Sequence, residues 1–178
     1  MQRVVFLDRD GVLNHTKVKG GRPYAPTTFK NFKIIPGTLE ALNALKKIGF
    51  ALVVVTNQPD VGNGNVAKEV VQKMNSQLLS KLPIDAVEVC YHAQTTGCNC
   101  RKPKPGMILT AATTLQADLP NSYMIGDRWS DISAGKAAGC TTIFIDNLYT
   151  EKLIDQPDII VTSLIAAADT IISQNMDK

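Results

Sequence analysis

Two carboxylates stand one residue apart in Asp8-x-Asp10-Gly11, directly after the apolar run Val4 to Leu7. A carboxylate at the end of a buried strand can attack phosphorus, and a second one nearby can act as general acid and base. The same residue types also form solvated acidic turns and calcium loops. A calcium loop requires further oxygen ligands and a Glu at its twelfth position, whereas this chain continues with Leu13-Asn14-His15. The pair therefore favours phosphoryl chemistry over calcium binding.

Two later segments carry groups that suit a phosphate. Thr56-Asn57-Gln58 follows the apolar run Phe50 to Val55, and its hydroxyl and backbone N–H groups could hold phosphate oxygens. Arg101-Lys102-Pro103-Lys104 offers cations that could neutralise charge on a transferring phosphoryl group. The alternative for this second segment is a solvated basic loop.

Gly126-Asp127 and Asp131 place two carboxylates four residues apart at a predicted strand-to-helix junction. Such a pair can hold Mg²⁺ through Asp127, with Asp131 as a further ligand or as support for one. The alternative is that Asp131 is only a favourable anion in the first turn of a helix.

A cluster of Cys90, His92, Cys98 and Cys100 lies within eleven residues. Three thiolates and one imidazole are a ligand set that zinc accepts in closed structural sites. Four protein ligands leave no open position for water, so the predicted role of this zinc is structural. A zinc-pinned loop that ends at Cys100 would hold the next two residues against the phosphate. Cys140 stands apart and is predicted to be a buried small hydrophobe.

The elements that must position these groups are those of an α/β fold, because short apolar runs alternate with segments of helical periodicity. Ligands bind at the carboxyl ends of the strands in such a sheet, so the motifs are expected to meet at one edge. The predicted strands are Val4 to Leu7, Ala51 to Val55, Ala86 to Cys90, Ser122 to Ile125, Thr141 to Ile145 and Ile159 to Thr162. The predicted helices cover 39–48, 66–82 after a cap at Asn65, 107–116, 130–138 and 163–174.

The ordered series Asp8-x-Asp10, Thr56, Lys102 and Gly126-Asp127-x-x-x-Asp131 resembles the four motifs of the haloacid dehalogenase superfamily of aspartate-nucleophile phosphatases. The resemblance implies a three-layered fold with a doubly wound parallel sheet. The intervals between the motifs are too short to hold a large cap domain. We expect one phosphatase domain over residues 1–178, with a zinc-stabilised loop.

The resemblance also implies a mechanism. Asp8 would attack phosphorus and carry an aspartyl phosphate, while Asp10 would serve as acid and then base. Mg²⁺ would bind Asp8, the Asp10 carbonyl and Asp127, and Thr56 and Lys102 would hold the phosphoryl group. The residues expected to contact the rest of the substrate are Arg9, Asn57, Gln58, Arg101 and Arg128.

The cysteine cluster before Arg101-Lys102-Pro103 narrows the resemblance to a subgroup that acts on heptose bisphosphates or histidinol phosphate. Two segments, 49–58 and 104–107, are more similar to the heptose enzymes, which implies release of the 7-phosphate of a heptose 1,7-bisphosphate. The five-residue gap between His92 and Cys98 is similar to the histidinol-phosphate enzymes. Residues 17–24 fit neither pattern, so another sugar phosphate stays open, and whether this loop, His15 or Trp129 contacts substrate is open too.

Surplus cations beside the catalytic set favour a substrate with a second anionic group, because the metal and one lysine suffice for the reacting phosphate. These surplus cations are Arg9, Arg101, Lys104 and Arg128.

Composition limits the other classes of protein. The chain has 178 residues, 6% aromatic residues and a net charge of +3, without the basic stripe or exposed aromatics expected of a DNA 3′-phosphatase or a zinc-bearing nucleic-acid module. A phosphorylated receiver domain shares the sheet, acidic residues and lysine, but a zinc loop is foreign to it. The longest apolar run is far shorter than the ~20 residues of a membrane span. We expect a cytoplasmic monomer whose partner is a small phosphorylated sugar, with no nucleic acid and no membrane.

Overall fold

The computed structural model describes residues 1–176 and contains a six-stranded sheet whose paired strands are all parallel. A separate antiparallel pair, β2 and β3, forms a hairpin. In chain order the strands are β1 (Val4–Leu7), β2 (Lys17–Lys19), β3 (Arg22–Tyr24), β4 (Ala51–Asn57), β5 (Ala86–Cys90), β6 (Tyr123–Gly126), β7 (Thr141–Ile145) and β8 (Ile159–Val161). The helices are α1 (Thr38–Lys47), α2 (Pro59–Gly62), α3 (Lys68–Lys81), α4 (Gly106–Leu115), α5 (Trp129–Ala138) and α6 (Leu164–Met176), with 3₁₀ turns at Phe29–Asn31 and Leu119–Asn121.

The strand order is β5-β4-β1-β6-β7-β8. The chain therefore winds outward from β1 to β5, returns to β6 on the other side of β1, and continues outward to β8. This confirms the doubly wound parallel sheet, and the direction of winding reverses beside β1. Ligand crevices of open parallel sheets form at such a reversal, outside the carboxyl ends of the strands.

Two cores cover the two faces of the sheet, because successive strand residues point to opposite sides. Val5 and Leu7 join the core shared by α1, α3 and α6, whereas Val4 and Phe6 join the core under α4 and α5. Burial on both faces explains why the strands are continuous apolar runs. The predicted three layers are confirmed.

Several boundaries differ from the predictions by one or two residues, and the differences at α3 and β4 have a local cause. Helix α3 begins at Lys68 rather than at Val66, because Ala67 is extended and Val66 is buried outside the helix. Asn65 does not cap α3; its backbone N–H and side-chain amide both donate to Asp60, which closes the turn after α2. Strand β4 runs two residues further than predicted, so that Asn57 pairs with Cys90 of β5.

The hairpin of β2 and β3 was not predicted, and it occupies the stretch that fits neither subgroup pattern. The intervals between the four motifs hold this hairpin, the strands, helices and 3₁₀ turns given above and the loop that carries the cysteines, so that no large cap domain is inserted there. Among residues 1–176, no helix combines the length and the apolar character that crossing a bilayer requires.

Candidate active site

The carboxyl ends of β1 and β6 bring three buried aspartates together. Asp8, Asp127 and Asp131 each offer a carboxylate oxygen, and these oxygens all lie within 4.8 Å of one another. The backbone N–H of Asp8 donates to the Ile125 carbonyl at 2.9 Å, which joins the end of β1 to β6. Residues that are 119 positions apart in the chain thus share one site because their strands are neighbours in the sheet.

Lys102 is the buried cation of this cluster. Its Nζ lies 2.8 Å from Asp8 Oδ1 and 2.6 Å from Asp131 Oδ1, and it donates to the Val55 carbonyl at 2.6 Å. Burial lowers the pKa of Lys102, but the neighbouring carboxylates outweigh that effect and raise the pKa above its ordinary value. The lysine therefore stays charged where a phosphoryl group would carry negative charge.

Asn57 holds the backbone of Lys102 in place. Its side-chain amide donates to the Lys102 carbonyl at 3.0 Å, and its Oδ1 accepts the Lys102 N–H at 3.1 Å. Asn57 was expected to contact substrate; it lines the pocket, but both polar atoms of its amide are engaged in this reciprocal pair. The arrangement makes Asn57 a residue that positions Lys102.

Asp127 and Asp131 differ in what their oxygens contact. Asp131 uses one oxygen for Lys102 and the other to accept the Arg128 backbone N–H at 3.0 Å, at the start of α5. Asp127 Oδ2 accepts the Asn147 side-chain amide at 3.1 Å, whereas its Oδ1 is buried without a hydrogen-bond partner among the described residues. A buried carboxylate oxygen without a donor is where a cation is needed.

The charges of the cluster do not balance without a cation, since three carboxylates face one lysine. Burial raises the pKa of Asp8 to about 6, against an ordinary value of 3.8, and the nearby Asp131 and Asp10 add to that shift. Burial also raises the pKa of Asp127 well above its ordinary value, with contributions from Asp8 and Asp131. A divalent cation among these oxygens would offset the repulsion.

Asp10 lines the pocket and is held from behind by three donors. Asn14 donates to Oδ1 at 2.9 Å, Gln58 donates to Oδ2 at 2.7 Å, and Arg9 pairs with Oδ2 at 2.9 Å. Arg9 and Gln58, two of the predicted substrate contacts, are buried in this group: Arg9 is 0% exposed and Gln58 is 4% exposed. Arg9 also donates to Asn75 of α3 at 3.0 Å. Both side chains orient Asp10 rather than reach into the pocket.

Thr56 lies next to these groups near the end of β4, with 1% of its surface exposed. Its hydroxyl oxygen accepts a hydrogen bond from the Gln58 amide at 2.9 Å. Because that bond uses the oxygen as acceptor, the hydroxyl hydrogen stays available to a phosphate oxygen.

The predicted zinc ligands meet beyond the end of β5. Ligand atoms of Cys90, His92, Cys98 and Cys100 lie within 4.8 Å of one another. Cys90 Sγ is 3.6 Å from Cys98 Sγ and 3.2 Å from Cys100 Sγ, which are separations across one metal ion and too long for a disulfide. All three cysteines are free thiols in the structure. The set fits a tetrahedral metal site.

Lys104 and Gly106 fasten this cysteine loop to α4. Lys104 Nζ donates to the carbonyls of Gly97 and Cys98 at 3.2 and 2.9 Å. A Cβ on Gly106 would lie 2.2 Å from the Asn99 carbonyl oxygen, so only glycine permits this approach. Lys104 was expected to meet a distal anion, whereas the structure engages it in the loop that precedes Lys102.

A cavity of about 400 Å³ opens at the aspartates and extends toward the β2–β3 hairpin. Arg101 and Arg128, two of the predicted substrate contacts, line it, and Arg128 forms a bidentate ion pair with Glu151. His15 is exposed and Trp129 is half-buried, and neither lies in the cavity wall. Arg22 and Tyr24 also line the cavity, so that the loop of residues 17–24, whose contact with substrate the sequence left open, reaches the site. Wall residues that sequence reasoning missed include Thr16, Gln94, Ser130 and Glu151.

The segment after β7 contributes to the site although no motif marks it. Asn147 donates to Asp127 and, at 3.0 Å, to the Gly11 carbonyl. The Tyr149 hydroxyl lies 3.2 Å from the Thr16 hydroxyl, and Thr150 donates its backbone N–H to the Gly21 carbonyl at 2.9 Å. The position of this segment in the sequence could have indicated its role, because it follows the carboxyl end of a predicted parallel strand, as the four motifs do.

Known proteins share this architecture. A family model described as HAD-hydrolase-like matches residues 99–167. The D-glycero-beta-D-manno-heptose-1,7-bisphosphate 7-phosphatase of Vibrio cholerae is 38% identical over 150 residues, which cover 78% of this chain and 77% of that protein. The enzyme of the same name from Yersinia pestis is 33% identical over 185 aligned positions, covering 97% of this chain and 91% of that protein.

Solved structures agree on the fold. The D,D-heptose 1,7-bisphosphate phosphatase from B. bronchiseptica, complexed with magnesium and phosphate, superposes with a TM-score of 0.83 at 24% identity, covering 97% of this chain and 99% of that chain. The D,D-heptose 1,7-bisphosphate phosphatase from Burkholderia thailandensis gives a TM-score of 0.68 at 21% identity, with 97% and 99% covered.

Proposed function

We propose a function on the premise that this chain belongs to the haloacid dehalogenase-like family of D-glycero-beta-D-manno-heptose-1,7-bisphosphate 7-phosphatases. The chain is a Mg²⁺-dependent phosphatase that releases the 7-phosphate of a heptose 1,7-bisphosphate. The observation that carries the proposal is the buried cluster of Asp8, Lys102, Asp127 and Asp131 at the mouth of a cavity of about 400 Å³. The substrate is inferred from the relatives, and the chemistry is inferred from the groups in the cluster.

The residues present fit a magnesium ion. Mg²⁺ prefers carboxylate and carbonyl oxygens, and the partnerless Asp127 Oδ1 faces an excess of buried negative charge. Asp8 and Asp127 would hold the ion, together with the Asp10 carbonyl, and Asp131 would hold Lys102 in place. When bound, Mg²⁺ neutralises phosphoryl oxygens and orients the phosphate for attack.

The residues of the chain itself have separate roles in the reaction. The Asp8 carboxylate attacks phosphorus and forms an aspartyl phosphate, while Asp10 donates a proton to the departing ester oxygen. Asp10 next accepts a proton from water, which attacks the aspartyl phosphate, releases inorganic phosphate and restores Asp8. Lys102 and the Thr56 hydroxyl hold the phosphoryl oxygens through both steps. The donors behind Asp10 keep its carboxyl aimed at the pocket.

We also propose that Cys90, His92, Cys98 and Cys100 bind one structural zinc ion. Their separations suit a tetrahedral ion, and burial raises the pKa of the Cys90 thiol to about 12. Zinc would bind the cysteines as thiolates, so its binding would release their protons. The ion would hold the loop that leads directly into Arg101 and Lys102.

The test is a comparison of kcat/KM for heptose 1,7-bisphosphate anomers, the 7-phosphate alone and histidinol phosphate, with and without Mg²⁺. We expect the bisphosphate to exceed the others and turnover to require Mg²⁺. Histidinol phosphate has a specific observation in its favour, the five-residue gap between His92 and Cys98. If it wins by tenfold or more, a difference of ~1.4 kcal/mol in transition-state binding, the proposed substrate is wrong.

Asp8→Asn tests the nucleophile separately from the substrate. The amide cannot attack phosphorus, so we expect turnover of every ester to be lost while the circular dichroism spectrum is retained. Activity within a few-fold of the parent would remove Asp8 from the nucleophilic role.

A further inference from the structure

Arg128 is not a free cation in this pocket. Its Nε and Nη2 both donate to the carboxylate of Glu151, and both side chains line the cavity. A bidentate pair fixes the plane of the guanidinium and cancels its charge, yet it uses only two of the five N–H donors of an arginine. The remaining donors suit neutral acceptors such as sugar hydroxyls better than they suit a second phosphate.

Two other cations beside the catalytic set are also engaged. Arg9 is fully buried against Asp10 and Asn75, and Lys104 donates to carbonyls of the cysteine loop. Arg101 also lines the cavity, and its Nη1 is buried without a hydrogen-bond partner among the described residues. We assign this donor to the reacting phosphoryl group, because Arg101 directly precedes Lys102.

Arg22 is the cation that the hairpin contributes to the cavity wall. It is exposed, lines the cavity from β3, and has no ion pair or side-chain hydrogen bond within residues 1–176. A guanidinium with all five donors available can take a phosphate in a bidentate manner.

The segment that carries Glu151 also fixes the hairpin that carries Arg22. Thr150 donates to the Gly21 carbonyl through its backbone N–H at 2.9 Å and through its hydroxyl at 3.3 Å. Neighbouring residues, Thr150 and Glu151, thus contact the residue before Arg22 and the side chain of Arg128. The two arginines are held by one segment but differ in charge state: one is neutralised and the other is not.

We propose that Arg22 binds the second anionic group of the substrate, and that Glu151 withholds Arg128 from that role and turns it into a donor for hydroxyl groups. This assignment rests on the proposed function, because it requires a substrate with two phosphates. It makes Arg22 and Glu151 the residues that determine the preference for a bisphosphate over a monophosphate.

The experiment measures kcat/KM for a sugar bisphosphate and for the monophosphate that keeps the same reacting ester, using heptose 1,7-bisphosphate with heptose 7-phosphate and fructose 1,6-bisphosphate with fructose 6-phosphate. The variant Arg22→Ala should lower the ratio of bisphosphate to monophosphate at least tenfold. Lys19→Ala is the matched control, because Lys19 pairs with Arg22 across the hairpin, carries the same charge and does not line the cavity. Its ratio should stay within twofold of the parent.

Glu151→Gln tests the other half of the proposal. Removing the carboxylate restores the charge of Arg128, so the ratio should rise in this variant, and in the Arg22→Ala background it should recover part of the lost preference. If Glu151 only oriented Arg128 toward a phosphate, the ratio would fall instead. A fall would overturn the role of Glu151.

The outcomes separate this inference from the proposed function. A parent enzyme that prefers the bisphosphate, together with an Arg22→Ala variant that keeps the preference within twofold, overturns the inference and leaves the proposed function standing. A parent enzyme that hydrolyses monophosphates equally well overturns the bisphosphate assignment and the inference with it. An equal loss in Arg22→Ala and Lys19→Ala identifies general charge attraction and also overturns the role of Arg22.

Discussion

Two aspartates at the end of β6 have different roles because their oxygens have different partners. Asp131 has an ion contact with Lys102 at Oδ1 and accepts the Arg128 N–H at Oδ2, whereas Asp127 Oδ1 has neither a cation nor a hydrogen-bond donor within the described chain. An aspartate that is fully bonded stabilises the folded chain without a metal. One that is buried and partnerless stabilises it only when a cation is bound.

Asp127→Asn should therefore separate metal binding from stability. We expect the Mg²⁺ concentration for half-maximal activity to rise at least ~10-fold, because a ligand is lost. At neutral pH the metal-free protein should become more stable and its Tm should rise, because the variant no longer buries a carboxylate whose pKa is raised by desolvation. Activity titrations with Mg²⁺ and thermal unfolding in a chelator measure the two effects.

Asp131→Asn is the matched control at the same junction. It removes a charge partner of buried Lys102 and weakens the contact at the start of α5, so the metal-free protein should lose stability. If both variants shift Tm in the same direction, the distinction between the two carboxylates is wrong.

The sequence predicts which residues gather at the site better than it predicts their contacts. The acidic pair after β1 and the lysine after the cysteine loop are motif positions, and strand order brings them together. Arg9 shares the first motif but turns into the core, where it meets Asn75 of α3 and stacks 5.5 Å from the Phe32 ring centroid. Those partners come from distant segments without a motif, so its direction could not be predicted.

At the scale of elements, the β2–β3 hairpin has a recognisable turn sequence, Gly20-Gly21, but its strands lack the residue pattern that predicts a strand. Gly20 and Gly21 have φ values of 54° and 72°, as a two-residue turn of the hairpin type requires. The strands beside them are three residues long and exposed, without the apolar alternation that predicts a strand. A Gly-Gly pair between polar residues forms a stable hairpin only when another segment of the chain packs against it. Here the packing residue is Thr150.

Gly21→Ala and Gly20→Ala should differ although both glycines have positive φ. A Cβ on Gly21 would lie 2.4 Å from a side-chain carbon of Thr150, whereas a Cβ on Gly20 would meet nothing within 4 Å. Both variants bear backbone strain of ~1 kcal/mol, but only Gly21→Ala should release the hairpin from the loop. Hydrogen exchange of residues 17–24 should rise in Gly21→Ala well beyond Gly20→Ala. Equal exchange in the two would mean that the contact with Thr150 does not hold the hairpin.

The cysteine loop acts as an element of its own between β5 and α4. Metal analysis of the parent should find about one equivalent of zinc, and Cys98→Ser should lose it and lower kcat, because the loop no longer holds Lys102. Cys140→Ser is the control, since Cys140 is buried outside the cluster. It should keep the zinc whatever it costs in stability. Zinc loss in both variants, or a metal-free parent with full activity, would contradict the assignment.

At the scale of the whole molecule, the sheet was predictable and the walls of the pocket were not. Continuous apolar runs mark strands buried on both faces, and their order along the chain places four motifs at one edge. Asn147 and Glu151 reach the same edge from the segment after β7, through contacts with Gly11 and Arg128. Contacts of this kind form between segments that are distant in the sequence, so local sequence patterns do not predict them.

The site also makes the stability of the whole chain depend on pH and metal together. The pKa of Asp8 is about 6 in the folded protein against an ordinary value of 3.8, so the folded state keeps a proton that the unfolded chain releases. Stability from this group is therefore present at low pH and falls as pH rises from about 4 to 6. Mg²⁺ requires the deprotonated form, so its apparent affinity should weaken as pH falls through 6.

Asp8→Asn isolates this contribution, because the amide does not titrate. In a chelator, the stability of the variant relative to the parent should be about 1 kcal/mol greater at pH 7 than at pH 5, since one unit of pKa shift corresponds to ~1.36 kcal/mol. With Mg²⁺ at pH 7 the parent should gain stability, and the variant should gain much less, because it lacks one metal ligand. Thermal unfolding of both proteins at the two pH values, with Mg²⁺ and with chelator, measures the difference in stability between variant and parent under each of the four conditions. A relative stability that does not change with pH would mean that Asp8 titrates in the folded protein as it does in the unfolded chain, and that burial at the end of β1 does not raise its pKa.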